Sequence, residues 1–260
     1  MLITSTANPL VKEFLDLHDK KGRQAAGSFL LEGRRELELA VKHGVRITRV
    51  LYTGGHFAGL SARFSPQTEL IEVSPHILEK VSYRGGTEGF VAAARIPERR
   101  LADWRPPEEP FIVVLDQLEK PGNIGAVLRT AAAAGTAAVL VCGGSGDLYN
   151  PNLIRASLGA LFILPVFALD SLEAVEWLRR HKIKIVTASP YARQPHWQYA
   201  WPGAQAVVLG SEKDGVSGLW SEQAAASVLI PMSGGVDSLN VSVSAAVLIY
   251  EAARQRGAAL

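Results

Sequence analysis

From Phe111 onward, short apolar runs alternate with capped helical segments, and this alternation restricts what the second half of the chain can become. "FIVVLDQL" is an uninterrupted apolar run of the kind that lies in a sheet buried on both faces. A helical stretch "IGAVLRTAAAA" follows, with Asn123 able to cap it and Gly135 ending it. The pattern repeats through "AAVLVCGG", a helix near residues 152–162, "ILPVFAL" and the helix "SLEAVEWLRRHK". It goes on through "IKIVTAS", "AVVLGSE" and "SVLIPM" to a final helix from about Ser238 to Gln255. Strand–helix alternation of this regularity predicts an α/β domain with a mostly parallel sheet covered on both faces. Ligands of such sheets bind in the loops that leave the C-terminal ends of the strands. Three loops qualify: "DQLEKPGNIGAVLR", "LGSEKDGVSG" and "IPMSGGVDSLNVS".

The first half is organised differently. Helical patterns at about 8–21 and 32–43 precede the β-rich runs "RITRVLYT", "ELIEVS" and "GFVAAARI", with a helical "PHILEKVS" before the last. The Pro-rich, charged stretch "RRLADWRPPEEP" reads as a linker. The expected organisation is a small α/β domain over 1–98, a linker over 99–110 and a parallel-sheet domain over 111–260.

Charge separates the two halves. Residues 1–105 carry 16 Lys+Arg against 12 Asp+Glu, and residues 106–260 carry 11 against 13. The excess at the front suits a polyanionic partner, although so small an imbalance is also ordinary for a solvated surface. Cys142 is the single cysteine, so no internal disulfide forms, and a reducing compartment fits. "MLITSTANPLVKEF" has neither a basic n-region nor an apolar core, and the most apolar run, "TAAAAGTAAVLVCGG", is too short for a bilayer. The expectation is a cytoplasmic protein with no membrane contact. The histidines are scattered and no His/Cys/Asp cluster has metal-ligand spacing, so no metal is expected.

One hexapeptide suggests nucleotide chemistry. "SGGVDS" (Ser233–Ser238) looks like the phosphate loop of ATP pyrophosphatases, and a Gly-rich turn at a helix start offers free N–H groups and a positive dipole end. Its position argues against that role. Only one more helix follows it, whereas in those enzymes most of the nucleotide domain lies downstream. No G-x-x-x-x-G-K-[ST] loop occurs either. The following "SLNVSVS" places Ser238, Asn240 and Ser242 at the mouth of the last helix, more polar groups than capping needs.

Together, "NIGAVLRTA", "LGSEKDGVS" and "IPMSGGVDSLNVSVSAA" resemble, in order and spacing, the three motifs of the SpoU/TrmH family of the SPOUT superfamily. The likeness covers about 111–257. The front half, through "NPLVKEFLDLHDKKGRQAAGSFLLEGRRELELAV" and "GGTEGFVAAAR", is similar to the RNA substrate-binding domain often fused ahead of that fold. The second motif departs from the family's small-residue interval by carrying Lys213 and Asp214, while Gly210, Glu212 and Gly215 stand in place.

The resemblance implies an RNA 2′-O-ribose methyltransferase that uses S-adenosylmethionine, is a homodimer and holds a deep trefoil knot in its C-terminal domain. Ribosomal RNA is the favoured substrate over tRNA. The alternatives are a tRNA 2′-O-methyltransferase, a base methyltransferase of the same superfamily and a non-catalytic RNA-binding protein. By position, Thr187, Ala188, Ser189, Leu209, Gly210, Ile230, Met232, Ser238 and Leu239 are expected to line the cofactor pocket. Arg129 is the first catalytic candidate, lying on a helix otherwise made of Ala, Val and Leu. The family is held to use this arginine as base, yet a guanidinium stays charged above about pH 12, so it can instead hold a phosphate or a developing oxyanion. Asn123, Glu212, Ser238 and Asn240 are the expected partners in catalysis. Contact with RNA is expected from Lys20, Lys21, Arg23, Arg34 and Arg35 beside glycine turns and from Arg84 before "GGTEG", while for Arg155 in "NPNLIRASLGALF" the resemblance implies contact with RNA or with the partner subunit's site.

Overall fold

The computed structural model describes residues 2–54, 64–83, 85, 88–144 and 146–257. The chain opens with α1 (Pro9–Asp16), α2 (Lys20–Ala26), β1 (Ser28–Leu31), α3 (Arg34–Lys42), β2 (Ile47–Tyr52), β3 (Glu69–Glu72), α4 (Pro75–Val81) and β4 (Phe90–Arg95). There follow β5 (Phe111–Asp116), α5 (Pro121–Ala133), β6 (Ala138–Cys142), α6 (Pro151–Ser157), α7 (Ala160–Ile163), β7 (Val166–Leu169) and α8 (Ser171–Arg180). The last elements are β8 (Lys184–Ala188), β9 (Gln194–Pro195), β10 (Gln205–Leu209), α9 (Gly218–Gln223), β11 (Ala226–Leu229) and α10 (Val241–Gln255).

Two compact units result, one formed by Met1–Glu98 with Asp147–Ile163 and one by Arg99–Gly146 with Leu164–Leu260. In the first, β1-β4-β2-β3 make a mixed sheet, with β4 antiparallel to β1 and β2, and β2 parallel to β3. Its core gathers Val11, Phe14 and Leu17 from the first helix with Leu30, Leu51 and Val91 of the sheet and Ile77, Leu78 and Val81 of α4. The expected helix over 8–21 is two helices, because the chain turns between Leu17 and Asp19 before α2 starts at Lys20. The strand β1 had no period to reveal it: all four residues of "SFLL" are buried.

The helix expected near 152–162 is likewise broken. Leu158 takes a left-handed conformation (φ 49°) and Gly159 follows at φ 81°. A Cβ on Gly159 would meet the Leu39 side chain at 2.7 Å, so glycine permits α3 to approach this turn. The segment therefore packs with the front unit, although strands of the second unit flank it in sequence.

The second unit is a parallel sheet in the order β7-β6-β5-β10-β8-β11-β9. Alternate residues of its central strands face opposite layers, as the two-residue period of a strand requires. Ile112, Val114, Leu140 and Val208 pack with Ala174, Trp177 and Leu178 of α8 and with Trp220 of α9. On another side α10 packs along α5. The strand order reverses at β5, whose neighbours are β6 and β10. A crevice at such a reversal is where ligands of open parallel sheets bind.

Candidate active site

Three loops meet beyond the strand ends of the parallel sheet, and their side chains converge on Glu212. Asn123 Nδ2 and Asn240 Nδ2 each donate to Glu212 Oε1 at 2.9 Å. Asn240 Nδ2 also lies 3.3 Å from Asn123 Oδ1, and Lys120 Nζ donates to Glu212 Oε2. These donors hold the Glu212 carboxyl below its usual range, the Lys120 bond first and the Asn123 bond second, against a small opposing effect of desolvation. The carboxylate stays ionised, hydrogen-bonded on both oxygens and open to solvent, its side chain 36% exposed.

Local chemistry puts each member in place. Pro121 starts α5 at its first turn, where a missing N–H costs nothing. Asn123 is thus not the helix cap that the sequence suggested; it lies inside the first turn, and its amide is left for Glu212. The cap of α10 is Asn240, whose Oδ1 accepts from Ser242 N at 2.9 Å and from Ser242 Oγ at 2.6 Å. With its oxygen so engaged, the amide turns its nitrogen toward Glu212 and Asn123. Glu212 itself sits in a tight turn closed by mutual backbone bonds of 3.1 Å between Ser211 and Gly215. Gly215 has φ 68°, and a Cβ on Gly210 would lie 2.0 Å from the Gly215 carbonyl. Glycine at both positions is what lets the turn close.

Asp116 and Lys120 were not singled out in the sequence. Asp116 is fully buried at the end of β5, where Oδ2 accepts from Ser217 N at 2.8 Å and ties the second loop to the first. The signals were an acid ending an otherwise apolar strand and a lysine directly before Pro-Gly-Asn. Burial, with Asp116 adding to it, pushes the Cys142 thiol up, so this cysteine is neutral core.

The remaining expected residues divide. Arg129 lies exposed on α5 and makes no hydrogen bond or ion pair among the described residues. Ser238 is exposed in the loop before α10, and Asn240, not Ser238, begins that helix. "SGGVDS" is therefore separated from the helix start, which removes the phosphate-loop geometry. Thr187 and Leu209 are buried at the ends of adjacent strands, and Ala188, Ser189, Gly210, Ile230, Met232 and Leu239 are partly buried around them. The Ser189 hydroxyl accepts from Tyr191 N at 3.2 Å within its own turn.

An adenosyl group suits these residues on one observation. Among the described residues, no backbone group from Met232 to Leu239 is engaged in a hydrogen bond. Free backbone donors and acceptors beside the half-buried apolar side chains of Ile230, Met232 and Leu239 suit a flat heterocycle with polar edges. No cluster of metal-ligating side chains occurs among the described residues.

In the front unit, Lys20 and Lys21 are exposed on the first turn of α2, and Arg34 and Arg35 on that of α3. Arg23 corrects the expectation of RNA contact. It is 2% exposed, and its guanidinium is consumed by the carbonyls of Leu17 and His18 at 2.7 Å and by Asp147. Arg155 is exposed on α6, and Arg84 lies outside the described residues.

Residues 110–250 match the SpoU rRNA Methylase family, and residues 8–92 match the MRM3-like substrate binding domain. A 23S rRNA (uridine(2479)-2′-O)-methyltransferase of Streptomyces viridochromogenes is 32% identical over 92% of this chain and 87% of its own length. The crystal structure of an RNA 2′-O ribose methyltransferase is 44% identical, with TM-score 0.85 over 98% of this chain and 99% of that one. An AdoMet-bound rRNA methyltransferase from Sinorhizobium meliloti is 25% identical, with TM-score 0.91 over 98% and 97%.

Proposed function

The chain belongs to the SpoU rRNA Methylase family, and from that premise we propose how its residues carry out S-adenosylmethionine-dependent methylation of a ribose 2′-hydroxyl in ribosomal RNA. The observation that carries the reading is the convergence of Asn123 and Asn240, from two loops, on the carboxylate of Glu212 in a third.

The bound cofactor supplies a methyl group on a sulfonium, already activated toward displacement, so no metal is required. What the protein must do is hold the ribose hydroxyl in line and accommodate the proton it loses. Glu212, ionised and fixed by two amides and Lys120, accepts from a ribose hydroxyl. Asn123 and Asn240 keep the carboxylate from rotating, because each donates to the same oxygen. Arg129, with no side-chain partner among the described residues, supplies positive charge to a phosphate or to the developing oxyanion. Leu209, Ile230, Met232 and Leu239 would hold the adenine, with the unused backbone groups of the loop before α10 as donors and acceptors for its edge.

The front unit, with its exposed Lys20, Lys21, Arg34 and Arg35, is the part that grips RNA, and Arg155 adds to that contact. The knotted threading that the family resemblance implies, and a homodimer, complete the proposal. Support for a dimer comes from α10, where exposed Val243 (47%) and Tyr250 (43%) share a face with partly buried Val247, opposite the residues that pack inward.

Incubation with labelled S-adenosylmethionine and either ribosomal RNA or tRNA, followed by mapping of alkali-resistant linkages, tests the reading. A 2′-O-methyl group blocks alkaline cleavage, so label at a resistant linkage in ribosomal RNA is expected. Label confined to bases, or to tRNA, would overturn it.

A further inference from the structure

The front unit contains a cavity of about 200 Å³, and of its lining residues only Arg155 has a part in the proposed function. It is too small for a drug-sized ligand and large enough for one planar ring system. Its walls are apolar at Ile154 and Leu158 and polar at Glu36, Tyr83, Asn152 and Arg155. Two more carboxylates line it but are already employed. Glu32 accepts from Tyr83 N at 2.6 Å, and Glu88 accepts from Arg34 N at 3.1 Å.

Glu36 is different. It is 8% exposed, lines the cavity and makes no hydrogen bond or ion pair among the described residues. Its carboxylate folds over Gly33 at the start of α3 and faces the open space of the cavity, so its oxygens are presented to whatever enters and are held by no protein donor among the described residues. A second polar group beside it is also short of a partner. Asn152 Nδ2 lies 3.3 Å from the Tyr83 hydroxyl, while Asn152 Oδ1 is buried with none. Turning the amide over would satisfy the oxygen through Tyr83 and strand the nitrogen instead, so one atom is left over in either orientation.

A ligand for this cavity must be flat and must present N–H donors to a carboxylate. Resting on the RNA-methylating reading above, we infer that the cavity takes an unstacked guanine base of the substrate RNA, at a position read by the front unit. Guanine alone among the four bases carries adjacent ring and amino donors, N1–H and N2–H, spaced to meet the two oxygens of one carboxylate. Sequence-specific RNA recognition works on bases splayed out of the stack in this way. The acidic lining excludes the phosphate, which is left for Arg155 and for Arg34 and Arg35 beside Gly33 at the cavity wall. Arg155 in the lining also disfavours a cationic occupant, such as a polyamine or an arginine side chain.

The test is an NMR titration of the ¹⁵N-labelled full chain with GMP, IMP and spermidine. GMP should shift the amides of Gly33, Glu36 and Asn152 saturably. IMP, which lacks the 2-amino donor, should bind at least about tenfold more weakly, the worth of one hydrogen bond to a charged acceptor. Glu36→Gln should weaken GMP by about tenfold or more while thermal unfolding changes little, since no protein group among the described residues bonds this carboxylate. Asn152→Ala should weaken it less. Equal binding of GMP and IMP, no shift at these amides, or displacement of GMP by spermidine through the same amides would overturn the assignment. None of these readouts uses methyl transfer: a chain that methylates RNA and ignores GMP sinks the base pocket alone, and one that binds GMP but methylates nothing sinks the enzymatic reading alone.

Discussion

Replacing Asp147 with alanine should unfold the front unit far more readily than a surface mutation does. Arg23 is 2% exposed and Asp147 11% exposed in their side chains, and the two are joined through Asp147 Oδ1 at 3.3 Å from Nε and through Oδ2 at Nη2. Removing the acid leaves a buried guanidinium with two carbonyl acceptors, Leu17 O and His18 O, and no counter-charge. Breaking a buried pair from one side costs about 3–5 kcal/mol. The two surviving carbonyl bonds argue for the lower end, about 3 kcal/mol. For a chain of this length each kcal/mol lowers the midpoint by about 2–4 °C, so a loss of roughly 6–12 °C is expected by calorimetry. If the two units melt separately, only the front transition should move. The double replacement Arg23→Met with Asp147→Leu should recover part of the loss, because an apolar pair carries no desolvation penalty while the carbonyls of Leu17 and His18 lose their donor. A loss below about 1 kcal/mol, the worth of an exposed pair, would refute the burial argument and return Arg23 to the surface.

Glu212→Gln should lower the methyl-transfer rate by about a hundredfold, the usual cost of one positioned electrostatic group, while affinity for S-adenosylhomocysteine by calorimetry stays nearly constant. Because Lys120 and Asn123 lower the Glu212 pKa, its charge, and the stability it lends, should be complete above the unfolded value of 4.5 and be lost only as pH falls through the lower folded pKa; a carboxyl ¹³C titration midpoint above 4.5 would contradict the network. Arg129→Ala should abolish transfer with cofactor affinity intact; if Arg155 reaches the partner subunit's site, Arg155→Ala should also be nearly inactive and mixing the two variants should restore part of the activity, whereas no rescue despite proven exchange would confine both arginines to one chain. Gly210→Ala should destroy cofactor binding, since its Cβ would lie 2.0 Å from the Gly215 carbonyl, and retained binding would show that the turn can open without loss.

The sequence by itself determined what is local. Strand and helix alternation announced the parallel sheet, and Asn, Gly and Pro marked the loops at its strand ends, because capping, turn chemistry and side-chain period act within a few residues. It also carried the family likeness, through three motifs in a fixed order. Which side chains meet was decided only in three dimensions. Glu212 meets residues 89 and 28 positions away, and that encounter depends on β10 lying between β5 and β8. Arg23 read as an RNA contact among basic neighbours, and a carboxylate 124 residues distant made it part of the interior. Helices α6 and α7 looked like part of the parallel-sheet domain, and Gly159, by admitting Leu39, let them pack with the front unit instead. Propensity and period carry no information about a partner so far along the chain. Burial and charge are settled when the elements pack, where a buried guanidinium needs its acid and an ionised carboxylate its donors.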